Sequence, residues 1–159
     1  MGINFELAAE FGDNREGALT FAKFFSGAKW QLSTEPFFET VVESGIGQGQ
    51  SGSWWAFAIP SGLGSSGAGT PELARRMTEA GFRIFEKLKF APPFRYAMVA
   101  IQCFDWRDVE ELPEVMSSLN LNGFVLSENL WIQFGRPHLF IPFSPGYWWR
   151  PFQGIPAPL

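Results

Sequence analysis

Residues 71 to 90 constrain the fold more tightly than any other stretch. At about 100° per residue, Leu73, Met77, Ala80, Gly81, Ile84 and Leu88 fall on one apolar stripe and every charged side chain falls outside it, which predicts a helix that packs on one side only. Thr70-Pro71-Glu72 supplies a capping hydroxyl, a proline at the first helical position and an early acid, and Ala91-Pro92-Pro93 stops the helix. Glu72 with Arg76, and Glu79 with Arg83, are i,i+4 pairs in the favourable orientation. Such a stripe has to be covered. Trp54 to Ile59 just upstream is apolar on both faces, and Phe94 to Phe104 downstream carries Arg95 as its one charge, so both read as central strands. The expected class is α+β: one domain over residues 1 to 159, a mostly antiparallel twisted sheet with the helix at about 71–90 on one face and several short helices.

The rest of the chain is read against that unit. Residues 3 to 11 suit a first strand or, at Ala8-Ala9-Glu10, a helical turn. Asp13 followed by Glu16 resembles a capping box, with a short helix over about 14–25 that stops near Gly27. Lys29 to Thr34 alternates as a half-buried strand, and β-branched content favours a strand over a helix for 37–43. Gly, Gln and Ser at 44–53, and Gly and Ser at 61–69, predict flexible loops. The acidic segment from Trp106 to Leu119 reads as helical in part. Gly123 to Leu126 predicts a short strand; Ser127 then caps a helical turn carrying Leu130, Trp131 and Phe134, with a strand through Leu130 to Phe134 as the rival. The Pro- and aromatic-rich segment 137–159 predicts an edge strand followed by an extended coat, because proline cannot donate to an inner ladder.

Composition narrows the function classes. A net charge of −4 argues against a nucleic-acid binder that works by neutralising phosphates. Six basic against three acidic side chains at 72–95 precede five acidic ones at 105–114, where Arg107 is the one base; this predicts complementary solvated faces or a partner site. One cysteine, Cys103, excludes an internal disulfide framework and fits a reducing compartment. Met1 to Glu6 has no basic region followed by an apolar run, and Glu6 stands where a myristoylation motif takes Ser or Thr. No stretch suits a spanning helix. A cytoplasmic protein without membrane association is expected.

Gly62-Leu63-Gly64-Ser65-Ser66-Gly67 matches G-x-G-x-x-G, the dinucleotide fingerprint. In that fold the helix begins within the motif, whereas Thr70-Pro71 delays it here, and Glu86, the acid at the expected distance, sits inside the helix. The motif also lacks the Lys of a P-loop, so it reads as a mobile connection or lid. His138 is the single histidine, and a metal site would need clustered partners. Cys103 shares a strand face with Val99 and Ile101 and reads as a small hydrophobe. No catalytic residue, cofactor or metal is expected.

Eighteen Phe and seven Trp carry much of the apolar content, so some rings should reach the surface. In the pairs Trp54-Trp55 and Tyr147-Trp148-Trp149 with Arg150, alternation turns one ring inward and its neighbour outward. Outward Trp beside Arg suits an interface. The candidate binding residues are Trp54, Trp55, Asp105, Asp108, Glu110, Glu111, Tyr147, Trp148, Trp149 and Arg150. The expected function is a non-enzymatic protein-interaction module, such as an inhibitor, immunity-type or adaptor protein, with another protein or a second copy of itself as partner. The alternatives are a sugar or nucleotide module using Trp platforms and a hydrolase using His138 with a carboxylate.

Overall fold

The computed structural model describes residues 4–33, 37–63, 69–101, 108–114 and 122–156. Its elements are β1 (Phe5–Gly12), α1 (Arg15–Phe25), β2 (Lys29–Leu32), β3 (Phe38–Gln48), β4 (Trp54–Pro60), α2 (Pro71–Leu88), β5 (Tyr96–Ile101), a 3-10 turn (Val109–Glu111), β6 (Phe124–Ser127), α3 (Glu128–Gln133), β7 (Ile141–Ser144) and β8 (Tyr147–Arg150). The eight strands form one antiparallel sheet in the order β2-β3-β4-β1-β5-β6-β8-β7. The expected α+β fold is therefore present, with β4, β1 and β5 at its centre.

Strand alternation gives the sheet two different faces. On the first, Phe5, Leu7, Ala9 and Phe11 of β1 join Ala56 and Ala58 of β4 and Ala97 and Val99 of β5 under both long helices. The central positions are mostly alanine, which leaves room for Phe21 and Phe25 of α1 to seat directly on the backbone. The stripe of α2 buries Met77, Ala80, Gly81, Ile84 and Leu88, with Ala74 and Phe85 added and Leu73 half-covered. Thr70 caps α2 through its hydroxyl, which accepts from Leu73 N at 3.1 Å, so this helix begins beyond the glycine motif.

Contacts from α2 reach both edges of the sheet. Glu79 accepts hydrogen bonds from the backbone and hydroxyl of Ser33 just past β2, and Phe85 meets Phe143 of β7 and Trp149 of β8. Seven inter-strand gaps of about 4.8 Å would hold those edges far apart in a flat sheet, so the sheet curls around the helix. Of the two expected helix pairs, Arg76–Glu72 forms at 2.7 Å, while Glu79 serves Ser33.

Three boundaries differ from the sequence expectation. The N-cap of α1 is Asn14, whose Oδ1 accepts from Gly17 N at 2.9 Å, which leaves Asp13 outside the helix. The loop expected at 44–53 is shorter, because β3 continues to Gln48. Glycine there marks a close approach: a Cβ on Gly45 would lie 2.6 Å from the Phe57 ring of β4. In the tail, β7 carries Pro142 and is an edge strand, whereas the proline-free β8 lies inside the sheet between β6 and β7. The turn at Pro145-Gly146 splits one Pro-rich segment into those two roles, and the coat that follows inserts Phe152 beside Phe82 and Phe85. Ser127 caps the short α3, which settles that segment as helix.

Candidate functional site

Three segments converge at one end of the sheet: the turn from β1 into α1, the tip of the β3–β4 hairpin, and the residue that opens β5. They enclose an open, mostly polar cleft of about 360 Å³, lined by Phe11 to Asp13, Ser51 to Ser53 and Arg95. The hairpin tip is held by Gly49 N donating to Ser53 O at 2.9 Å and Gln48 Nε2 donating to Gly52 O at 3.1 Å. A register shift between Glu10 and Gly12 ends β1 and turns the chain toward α1.

The floor of the cleft is an ion pair. Glu10 is fully buried, and its carboxylate accepts from Gly12 N at 2.9 Å, from Arg95 Nε at 2.6 Å and from Arg95 Nη2. A buried carboxylate is tolerable only when its oxygens are satisfied, and this two-pronged arrangement does that. The Arg95 side chain remains 44% exposed, so the pair runs from the interior to the cleft. Its guanidinium lies flat on Gly12, where a Cβ would come within 3.1 Å of Cζ; the φ of +63° at Gly12 also suits glycine. The hydrogen bond to Glu10 raises the Arg95 pKa against the opposing effect of burial.

Glu10 belongs to the second face of the sheet. Its cross-strand neighbours are Trp55 and Tyr96, whose rings meet edge to face at 5.2 Å. Tyr96 also stacks on Phe124. Burial, and after it the charges of Glu10 and Asp108, push the Tyr96 hydroxyl far above the ordinary phenol value. This face is covered by Val109, Leu112, Leu130 and Phe140.

Val109 and Leu112 turn inward, so the acids between them turn out: Glu110 and Glu111 are exposed. Asp108 accepts a hydrogen bond from the Ser51 hydroxyl, which ties the acidic segment to the hairpin tip. Asp108 therefore stands at the edge of the cleft, Glu110 acts electrostatically on Arg95, and Glu111 acts on the buried Tyr96 beneath. Asp13 completes the rim; it is exposed, and no side-chain hydrogen bond of its own is found among the described residues.

The candidate residues read from the sequence separate into two groups. Trp54, Trp55, Asp108, Glu110 and Glu111 gather at this end. Trp54 is half-buried with the Arg15 guanidinium 5.4 Å from its ring centre, and Trp55 is fully buried beneath the site. Tyr147, Trp148, Trp149 and Arg150 lie on β8, beyond β6. There the Tyr147 hydroxyl donates to Phe94 O at 3.2 Å and accepts from Phe94 N at 3.0 Å, and burial raises its pKa. Trp148 stacks on Trp131 at 3.7 Å, Trp149 packs against Phe85 and Phe143, and Arg150 is half-buried. His138 is exposed in the turn before β7. Asp105, Cys103 and most of the glycine motif lie outside the described residues, where Gly62 and Leu63 are its two described members.

Sequence reasoning missed Glu10, Asp13, Arg95, Ser51 and Ser53 as members of one site. The available signals were Arg95 as the lone charge of a central strand and Glu6 and Glu10 alternating through an apolar one. What the cleft offers is recognition chemistry: a fixed guanidinium, a free carboxylate and two hydroxyls. Compared with protein-family models, curated proteins and solved structures, the chain matches none of them.

Proposed function

We propose that this protein is a non-enzymatic interaction module of the inhibitor, immunity or adaptor kind, acting in the cytoplasm and binding a basic partner through the acidic end of its sheet. The observation that carries the reading is that Asp13, which lines the cleft, meets Asp108 and Glu110, which come to it from a segment far away in sequence. Opposed charge at such a surface steers encounter and raises the association rate. The rim is built on covered elements: Val109 and Leu112 anchor the acidic turn in the second core, and Ser51 clamps it to the hairpin. Recognition groups held in this way lose little conformational entropy on binding.

The test is capture of a partner from the native cell with the immobilised chain, followed by salt titration of the purified pair. A stoichiometric partner whose association rate falls steeply with ionic strength supports the reading. Recovery of no stoichiometric partner, or an association indifferent to salt, argues against it.

A further inference from the structure

Resting on that reading, we propose that the cleft between Asp13, Ser51–Ser53 and Arg95 is the seat of one basic residue of the partner, its ammonium or guanidinium against Asp13 and its main-chain carbonyl on Arg95. The lining of the cleft is mixed, one carboxylate and one guanidinium beside two hydroxyls. Arginine has five N–H donors; Glu10 takes two of those on Arg95, which leaves three. A side chain free to move would fold these donors back into water. Here Glu10 holds the guanidinium from below and Gly12 backs it, so its remaining donors keep a fixed direction on the partly exposed side.

Glu10 also decides the sign of the ligand. It cancels the charge of Arg95, so the guanidinium offers hydrogen bonds without a net repulsion of cations. Asp13 is then the uncompensated charge in the lining, with Asp108 and Glu110 adding to it from the rim. An anion would meet that field on entry; a cation is drawn in by it. The ligand that satisfies both features bears a positive group and, a few bonds away, a carbonyl acceptor. A lysine or arginine residue within a polypeptide has both. The volume of about 360 Å³ accommodates one such side chain with its peptide unit and is small for a longer segment. The hydroxyl oxygens of Ser51 and Ser53, as acceptors, complete the shell of an ammonium, the Ser51 hydrogen being given to Asp108.

The test uses backbone amide NMR of the intact protein, titrated with lysine blocked at both ends as acetyl and methylamide, beside the equivalent norleucine and glutamate compounds. The expected result is saturable millimolar shifts at Gly12, Asp13 and Ser51 to Ser53 with blocked lysine, and none with norleucine. Asp13→Asn, on an exposed turn outside the helix cap, should keep the fold and weaken the lysine compound about fivefold. Arg95→Lys, which keeps the charge and loses the fork, should weaken it while leaving norleucine silent. If blocked lysine produces no saturable shift at these residues while the captured partner still binds, this assignment is wrong and the interaction reading stands. Stronger shifts with blocked glutamate would overturn it in favour of an anion site. If no partner is captured yet blocked lysine binds as expected, the site stands and the interaction reading fails.

Discussion

The two faces of this sheet are built by different rules. The first, under α1 and α2, is an apolar core in which alanine-paved strands receive phenylalanine rings. The second places Glu10 between Trp55 and Tyr96 at the end of its ladder, and Glu6 four residues earlier is buried as well. Burying a carboxylate costs several kcal/mol unless it is fully paired, and a hydrophobic pair of similar volume is often as stable. The first face therefore holds the fold together. The second gives up part of that stability to hold Arg95 at the floor of an open cleft.

Substitutions should separate these roles. The largest effect is expected on the first face: Phe21→Ala, which removes a fully buried ring contacting Phe11, Phe25 and Phe94, should cost about 3–5 kcal/mol in chemical denaturation. On the second face, Glu10→Ala should cost about 2–3 kcal/mol, less than a fully buried orphaned charge because Arg95 retains contact with water. Replacing both partners, as Glu10→Met with Arg95→Met, should return stability to within about 1 kcal/mol of the parent and leave the cleft unable to bind. A double variant as unstable as Glu10→Ala would show that the ion pair is structural, and the contrast between the faces would collapse.

A smaller effect concerns pH. The protein has two tyrosines, Tyr96 on the second face and Tyr147 on the first, and burial raises the pKa of both. Since the folded values lie above the unfolded one of about 10, this contribution to stability is fully present below that pH and declines as pH rises past it. Phenolate absorbance should therefore stay low above pH 10 until unfolding begins. Tyr147, the less deeply buried of the two and bonded to Phe94, should ionise first, and Tyr147→Phe should remove that first step. Early titration of both phenols would contradict the packing described here.

The contrast also explains what could be read from the chain. The stripe of α2 and the two all-apolar central strands follow from periodicity, because the first face obeys hydrophobic patterning almost without exception. Where geometry depended on a partner strand, the reading failed. Gly45 and Gly47 looked like loop residues because nothing local reveals that Phe57 and Trp55 lie beside them across the ladder. The proline-rich tail read as an edge strand followed by an extended coat, and the edge strand is there as β7; the inner strand β8 was missed because the turn at Pro145-Gly146 gives the two halves different places in the sheet. The acidic cluster and Trp54-Trp55 were legible as features, and their meeting at one end was not. That meeting depends on the fold bringing Ser51 to Asp108, 57 positions away. Glu10 and Arg95, 85 positions apart, were hidden for the same reason.

The central claim is that the acidic end of the second face, and not the helix-covered side, is the binding surface. The most direct measurement compares association of the captured partner with two variants whose charge changes are equal in size and opposite in sign: Asp13→Asn with Glu110→Gln at the cleft, and Arg75→Gln with Arg83→Gln on the exposed side of α2. The account predicts that the cleft variant lowers the association rate about tenfold at low salt and that the helix variant leaves it within about twofold. The reverse order would contradict it.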